Sequence, residues 1–338
     1  MKKLKILLGN ATLSYLAGSE TWTYTLASQL KEMGHDVFCY SPELGIISDK
    51  LKEKNIKSFN EFNVGGIMPF TFVLEENFDH DYDFIIANHY FVVEKLRAKF
   101  PKTPIISTIH GILHFMDSGE KAPEHPALES GVSQFISVSE EVQEKLKKDY
   151  NIDSLIIRNF FDIKKFDLPK ANEKPKQFLM NTNYAGREDP AIKVVKEVAV
   201  EMGARLAVIG ENFVQNFDVI SAIKDADVVF GMGRSVLEGV AGGRLGIVHG
   251  RWGTGGVVID QNIDNLRRFN FSGRNVEKLA TKEEIIEMIE TYYNPTNLQW
   301  GKDYIARDHN VVLAAEEFVR LGRELIGENI NNVDLNNA

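Results

Sequence analysis

Cysteine occurs once in the 338 residues, at Cys39, which excludes an internal disulfide framework and a cysteine-ligated zinc cluster. Within the strand-like run DVFCY that thiol reads as a buried, inert group. No apolar run reaches the roughly 18 residues of a membrane-spanning helix, and no basic opening followed by an apolar stretch marks an export signal. Both absences lead to the expectation of a cytoplasmic protein without a membrane span. Bases are outnumbered: the formal net charge of −9 argues against nucleic acid as a partner. A local basic cluster, EKLKK at Glu144 to Lys148, leaves room for peripheral contact with an anionic membrane surface. No solenoid repeat is present. No G-x-G-x-x-G follows LKILL and no acid ends the second strand, which disfavours a nicotinamide dehydrogenase.

What is present is the alternation of an α/β protein. The length fits two domains at about 100–200 residues each, and the hydrophobic fraction of 43% is enough to give each a core. LKILLGN reads as a buried strand ending in a glycine loop. Ser19 is expected to N-cap a helix in which Trp22, Leu26, Leu30 and Met33 recur at helical spacing, and Gly34 stops it before the strand DVFCY. DYDFIIANHY, TPIISTIHG and SQFISVSE add further short strands of a doubly wound sheet. A lysine-rich stretch with Pro169 and Pro175 then reads as a linker. Beyond it FLMNTNY, RLAVIGE, DVVFGMG and LGIVHG alternate with helices, and amphipathic helices close the chain.

Between Gly231 and Arg244 runs GMGRSVLEGVAGGR, which carries one acid, Glu238. Ser235 and Glu238 have the spacing of a capping box, the local reading. The functional reading is an acid that meets a ligand at a strand–loop–helix mouth, where N–H groups and the helix dipole attract anions. Both stay open on the residues alone.

Several stretches in order resemble family 4-type glycosyltransferases of the GT-B fold. AGSETWTYTLASQLKEMGHDV resembles their first loop and helix. FISVSEEVQEKL and NFFDIKKF resemble the close of their first domain, with Asn159, Asp162 and Phe166 matching and Phe160 standing where glycine is usual. ADVVFGMGRSVLEGVAGGRLGIV resembles their donor site at Ala226, Asp227, Leu237, Glu238, Ala241, Gly243 and Val248. The resemblance implies two Rossmann-like domains facing a cleft. The expected divisions are an acceptor-side domain over 1–165, a linker over 166–176, a nucleotide-sugar donor domain over 177–300, a helical segment over 301–328 crossing back to the first domain, and a disordered tail over 329–338. In function it implies a hexosyl or glycosyl transferase that moves a sugar from a UDP- or GDP-sugar to a glycan, lipid or small-molecule acceptor, with retention. The nucleotide sugar is a substrate, so no cofactor is expected. One departure stands out: the family's first acid of an E-x7-E pair would fall on Phe230. That departure keeps two alternatives in view, a non-catalytic nucleotide-sugar or glycan-binding GT-B protein and a UDP-sugar epimerase of the same fold.

Sugar transfer builds charge on a leaving diphosphate, so fixed cations and N–H dipoles there lower the barrier and no metal is required. Arg187, just before the helix DPAIKVV, is a candidate catalytic brace, against the alternative of a surface arginine. Arg234 is a second brace. Gly18 and Ser19 open a helix suited to a diphosphate, or only a capped turn. Thr254 and Gly255, in the glycine-rich GRWGTGGVV, allow close backbone approach to a phosphate or hexose, or form a plain turn. His110 ends a strand at the carboxyl edge of the first sheet, and the resemblance places a histidine there facing the sugar or acceptor. Glu238 has two oxygens for the two hydroxyls of a ribose, with Ser235 beside it.

Overall fold

The computed structural model describes residues 2–15, 18–60, 81–112, 131–183, 186–210, 213 and 219–328. In chain order the first elements are β1 (Lys5–Gly9), α1 (Gly18–Glu32), β2 (Asp36–Tyr40), α2 (Ile46–Glu53), β3 (Lys57–Phe59), β4 (Phe84–Asn88), α3 (Tyr90–Lys99), β5 (Ile105–Ile109), β6 (Gln134–Ser137), α4 (Glu140–Tyr150) and β7 (Ser154–Ile156). They are followed by β8 (Gln177–Asn181), α5 (Pro190–Glu201), β9 (Arg205–Ile209), α6 (Val219–Asp225), β10 (Val228–Gly231), α7 (Arg234–Ala241), β11 (Leu245–Gly250), β12 (Gly253–Val257), α8 (Ile263–Arg268), α9 (Lys282–Tyr292), α10 (Pro295–Asp308) and α11 (Val311–Leu325). Two compact units result. The first comprises the chain up to Ser137, Lys145–Ile156 and Val312 onward, and the second Val138–Glu144 and Ile157–Val311.

In the first unit seven parallel strands take the order β3-β2-β1-β4-β5-β6-β7. β4 and β5 are buried along their whole length, as crossover helices on both faces require. Gly9 ends β1 because a Cβ there would come within 2.5 Å of Leu96 Cδ1 on α3. α1 buries Trp22, Leu26 and Leu30 on one stripe. It begins at Gly18, so Ser19 lies inside its first turn rather than capping it. Trp22 packs edge-on against Phe318 of α11 at 5.7 Å between ring centres, and Gly322 of the same helix lets it approach Phe84, whose Cε1 would be 2.2 Å from a Cβ.

In the second unit five strands take the order β12-β11-β10-β8-β9, with β12 antiparallel to β11 and the rest parallel. One face of this sheet carries a core with Val229, Leu237, Val248 and Leu266, and the other a core with Phe178, Ile192, Phe230 and Ile285. Gly239 allows α7 to lie against β10, since a Cβ would meet Val229 at 2.5 Å. The lysine-rich stretch expected as a linker over 166–176 belongs to this unit. Its anchor is Asp227, 1% exposed. The carboxylate accepts from the N–H groups of Asn172, Lys176 and Gln177 and from the Asn172 amide at 2.8–3.1 Å. Arg244, 2% exposed, adds bonds to the carbonyls of Pro169, Ile223 and Lys224. The expected disordered tail, 329–338, lies outside the described residues.

Candidate donor site and its neighbours

Strand order reverses between β8 and β10 in the second unit and between β1 and β4 in the first. Open α/β sheets bind ligands beyond the carboxyl ends of strands at such reversals. Gly231 ends β10 at the reversal of the second unit, where a Cβ would stand 3.0 Å from the Asn181 carbonyl and 3.0 Å from Ser235 Cβ. Gly233 follows with φ 56°, a left-handed conformation suited to glycine, and precedes α7 without a side-chain cap. Its N–H donates to Phe271 O at 2.8 Å. The helix therefore begins at Arg234, which puts Ser235 inside its first turn. The capping box expected between Ser235 and Glu238 does not form.

Glu238 pairs instead with Arg234 one turn back, Nη2 to Oε1 at 3.4 Å, with side-chain exposures of 19% and 15%. Arg234 Nη1 also donates to Phe160 O at 2.9 Å, and its guanidinium lies over the Phe161 ring. Burial pushes the Glu238 carboxyl up and Arg234 draws it back down. For Arg234, burial pushes the guanidinium down and Glu238 opposes it. Phe160 and Phe161 are themselves held: Phe161 N–H donates to His309 O and Val311 N–H to Phe161 O. Asn159 Nδ2 reaches Asn270 Oδ1 at 3.0 Å. His309, 2% exposed, donates from Nδ1 to Asn159 O, so its Nε2 accepts from the Tyr304 hydroxyl. Burial pushes this imidazole down to about 4.

The structure thus brings Arg234, Ser235 and Glu238 together on one helical turn at the strand reversal. Arg187 is exposed in the turn before α5. Beside it Asp189 caps that helix by accepting from Ala191 N, with Pro190 in the first turn. The glycine-rich stretch expected as a loop is the edge strand β12, which corrects the place given to Thr254. Thr254 is 5% exposed, and its hydroxyl bonds His249 Nδ1 at 2.7 Å and accepts from Ala280 N. His249 Nε2 in turn meets Ala191 O, so the Thr254 hydroxyl is committed within a buried network. Gly255 is equally enclosed, with Leu266 Cδ2 2.9 Å from where a Cβ would be. Phe230, at the position of the absent first acid, is fully buried beside Phe178 and His249. Nor is the EKLKK cluster a free basic face: Lys145 pairs with Asp149, Lys147 with Asp153 and Glu144 with Arg268.

In the first unit α1 links the remaining candidates. Gly18 is exposed at its start and Ser19 Oγ lies 3.4 Å from His89 Nε2. His110 follows β5 and packs edge-on against Trp22, 5.1 Å between ring centres. Sequence reasoning missed two features: the Phe160–Phe161 anchor of Arg234, signalled only by a phenylalanine in place of glycine, and a buried polar group of Asn10, Glu20 and Asn88 at the strand reversal. Among the described residues no group of three or more His, Cys, Asp or Glu could hold a metal ion, and no helix is long and apolar enough to cross a membrane.

Known proteins share this architecture. Residues 16–165 match Glycosyltransferase Family 4. A structure of Anabaena HepE in complex with UDP and glucose is similar at 14% identity and a TM-score of 0.64, over 94% of this chain and 99% of that one. A glycosyltransferase from Rickettsia africae is similar at 14% identity and 0.59, over 97% and 100%. Sucrose-phosphate synthase from Thermosynechococcus elongatus follows at 11% and 0.57, over 97% and 100%. No curated protein matches the sequence. Residues 16–165 thus resemble Glycosyltransferase Family 4, and the two-sheet α/β fold of the whole chain is the one these solved glycosyltransferases share.

Proposed function

We propose that the second unit binds a UDP- or GDP-sugar at the carboxyl ends of β8 and β10 and that the enzyme transfers the sugar, with retention and without a metal, to a glycan, lipid or small-molecule acceptor. The observation that carries this reading is the Arg234–Glu238 pair on the opening turn of α7. A carboxylate offers two acceptors to the two hydroxyls of a ribose. Arg234 holds it in place and retains further N–H donors for an anion. The start of α7 adds N–H groups that favour a diphosphate. Arg187, at the neighbouring loop after β8, is the proposed cation that meets the charge growing on the leaving group. Gly18, Ser19 and His110 are the proposed ligand-facing groups of the first unit. HepE's complexes with UDP and with UDP-glucose support a uridine nucleotide as the first donor to try.

The test is to incubate the protein with a panel of UDP- and GDP-sugars and measure nucleotide release with and without glycan, lipid and small-molecule acceptors. Acceptor-dependent release, lost in Glu238→Gln, is expected. Tight nucleotide binding without release would favour a binding protein, to which the buried Phe230 at the missing acid's position lends its weight. Interconversion of the sugar without transfer would favour an epimerase.

A further inference from the structure

At the strand reversal of the first unit lies a cluster whose hydrogen bonds do not balance. Asn10 is fully buried, Asn88 is 1% exposed, Thr23 is fully buried and Glu20 is 3% exposed. The Asn88 amide donates to Asn10 Oδ1 at 3.2 Å and to Thr23 Oγ1 at 3.1 Å. Thr23 passes its own proton to Ser19 O at 2.9 Å. Asn10 donates to Thr12 O at 2.7 Å, and its side chain also bonds Glu20. Glu20 also takes bonds from its own backbone N–H and from the Ser19 side chain. Two buried acceptor oxygens remain without a partner, Glu20 Oε2 and Asn88 Oδ1.

An ionised carboxylate would worsen this imbalance, because it is acceptor-only and costly to bury without a counter-charge. No lysine or arginine pairs with Glu20 among the described residues. On the same helix, Ser19 is approached by His89, which precedes α3, and Trp22 is packed by His110, which follows β5. One proton on the unpartnered Oε2 of Glu20 removes the buried charge. We propose that Glu20 is held as a neutral carboxylic acid in this cluster, and that it is a positioning residue for Ser19, whose side chain bonds it, and for the first turn of α1. Burial also pushes this carboxyl up, and the hydrogen bonds from its own backbone N–H, Ser19 and Asn10 pull it only part of the way back down. Neutrality suits the place as well, since an anion beside Ser19 would oppose a phosphate at the same helix start. That last consequence rests on the donor reading above; the protonation does not.

The linkage has a definite sign. A carboxyl whose folded pKa is raised adds stability below its unfolded value, and that stability is lost as pH rises through the folded value. Thermal melts of wild type and Glu20→Gln across about pH 4.5 to 8.5 read this without any substrate. The expected result is a melting point for Glu20→Gln that gains on wild type as pH rises and then levels. A gap that stays constant with pH overturns the proposal. A second measurement needs no variant: the side-chain carboxyl 13C shifts of glutamates in the wild-type protein should include one that titrates well above the rest, and a full set titrating at ordinary values overturns it too. For the positioning role, turnover on the best donor should fall roughly tenfold in Glu20→Ala, through kcat rather than KM, and be recovered in Glu20→Gln. If Gln fails to recover it while the 13C titration holds, Glu20 is neutral but the donor reading for Ser19 falls.

Discussion

The guanidinium carbon of Arg234 stands 4.6 Å from the centre of the Phe161 ring, a side chain itself 2% exposed. Stacking, the bond to Phe160 O and the pair with Glu238 hold one planar group from three sides. Arg234→Met is therefore expected to loosen Glu238 and to weaken UDP or GDP binding by roughly tenfold. Arg234→Lys should recover only part of this, because an ammonium cannot stack and fork at once. Titration calorimetry decides, and equal affinity in all three proteins would remove Arg234 from the site.

Glu238→Gln keeps size and removes the charge, so nucleotide affinity should again fall by about tenfold with the fold intact. The carboxylate is the form that accepts ribose hydroxyls, and burial pushes its protonation to higher pH, with Arg234 pulling the other way. Wild-type affinity should accordingly weaken as the solution is acidified, beginning above the ordinary carboxylate range. Glu238→Gln should show no such limb in calorimetry repeated at several pH values.

Much of the architecture was legible because it rests on local pattern. The Ile and Leu run before Gly9, the helical spacing of Trp22, Leu26 and Leu30, and the strand runs from DVFCY to LGIVHG each report their element directly. β12 was not, since Gly253 to Gly256 carries no strand propensity and is placed by pairing with β11. The site was half legible. Glu238 could be singled out as the lone acid of its helix, but its partner could not. The S-x-x-E spacing pointed to Ser235, whereas the left-handed Gly233 starts the helix one residue earlier and turns the acid back onto Arg234. The burial of Thr254 was illegible for a related reason: nothing local shows that His249 lies within reach of its hydroxyl.

His309 gives stability a pH dependence of the opposite sign to Glu20. Its imidazole is pushed down to about 4 by burial, so the unfolded chain binds the extra proton between that value and the ordinary histidine range. Stability is present above the unfolded value and lost as pH falls through the window, by up to on the order of 3 kcal/mol from this group. Urea unfolding of wild type at graded pH should show the loss. His309→Gln should flatten that part of the curve, and an unchanged slope would mean that the ring is not held neutral.

Asp227→Ala strands the N–H groups of Asn172, Lys176 and Gln177 that the carboxylate receives. A cost on the order of 3 kcal/mol is expected from losing a buried, charge-assisted network. Chemical denaturation measures it, and limited proteolysis should cut first within 167–176. A variant as stable as wild type would show that the segment is held by Arg244 alone.

The first unit is discontinuous in the chain: Trp22 and Phe84 are covered by Phe318 and Gly322 of α11, which lie beyond the whole of Ile157–Val311 in sequence. A cut between Val311 and Phe318 is therefore a lesion of the first unit, although it falls next to the second.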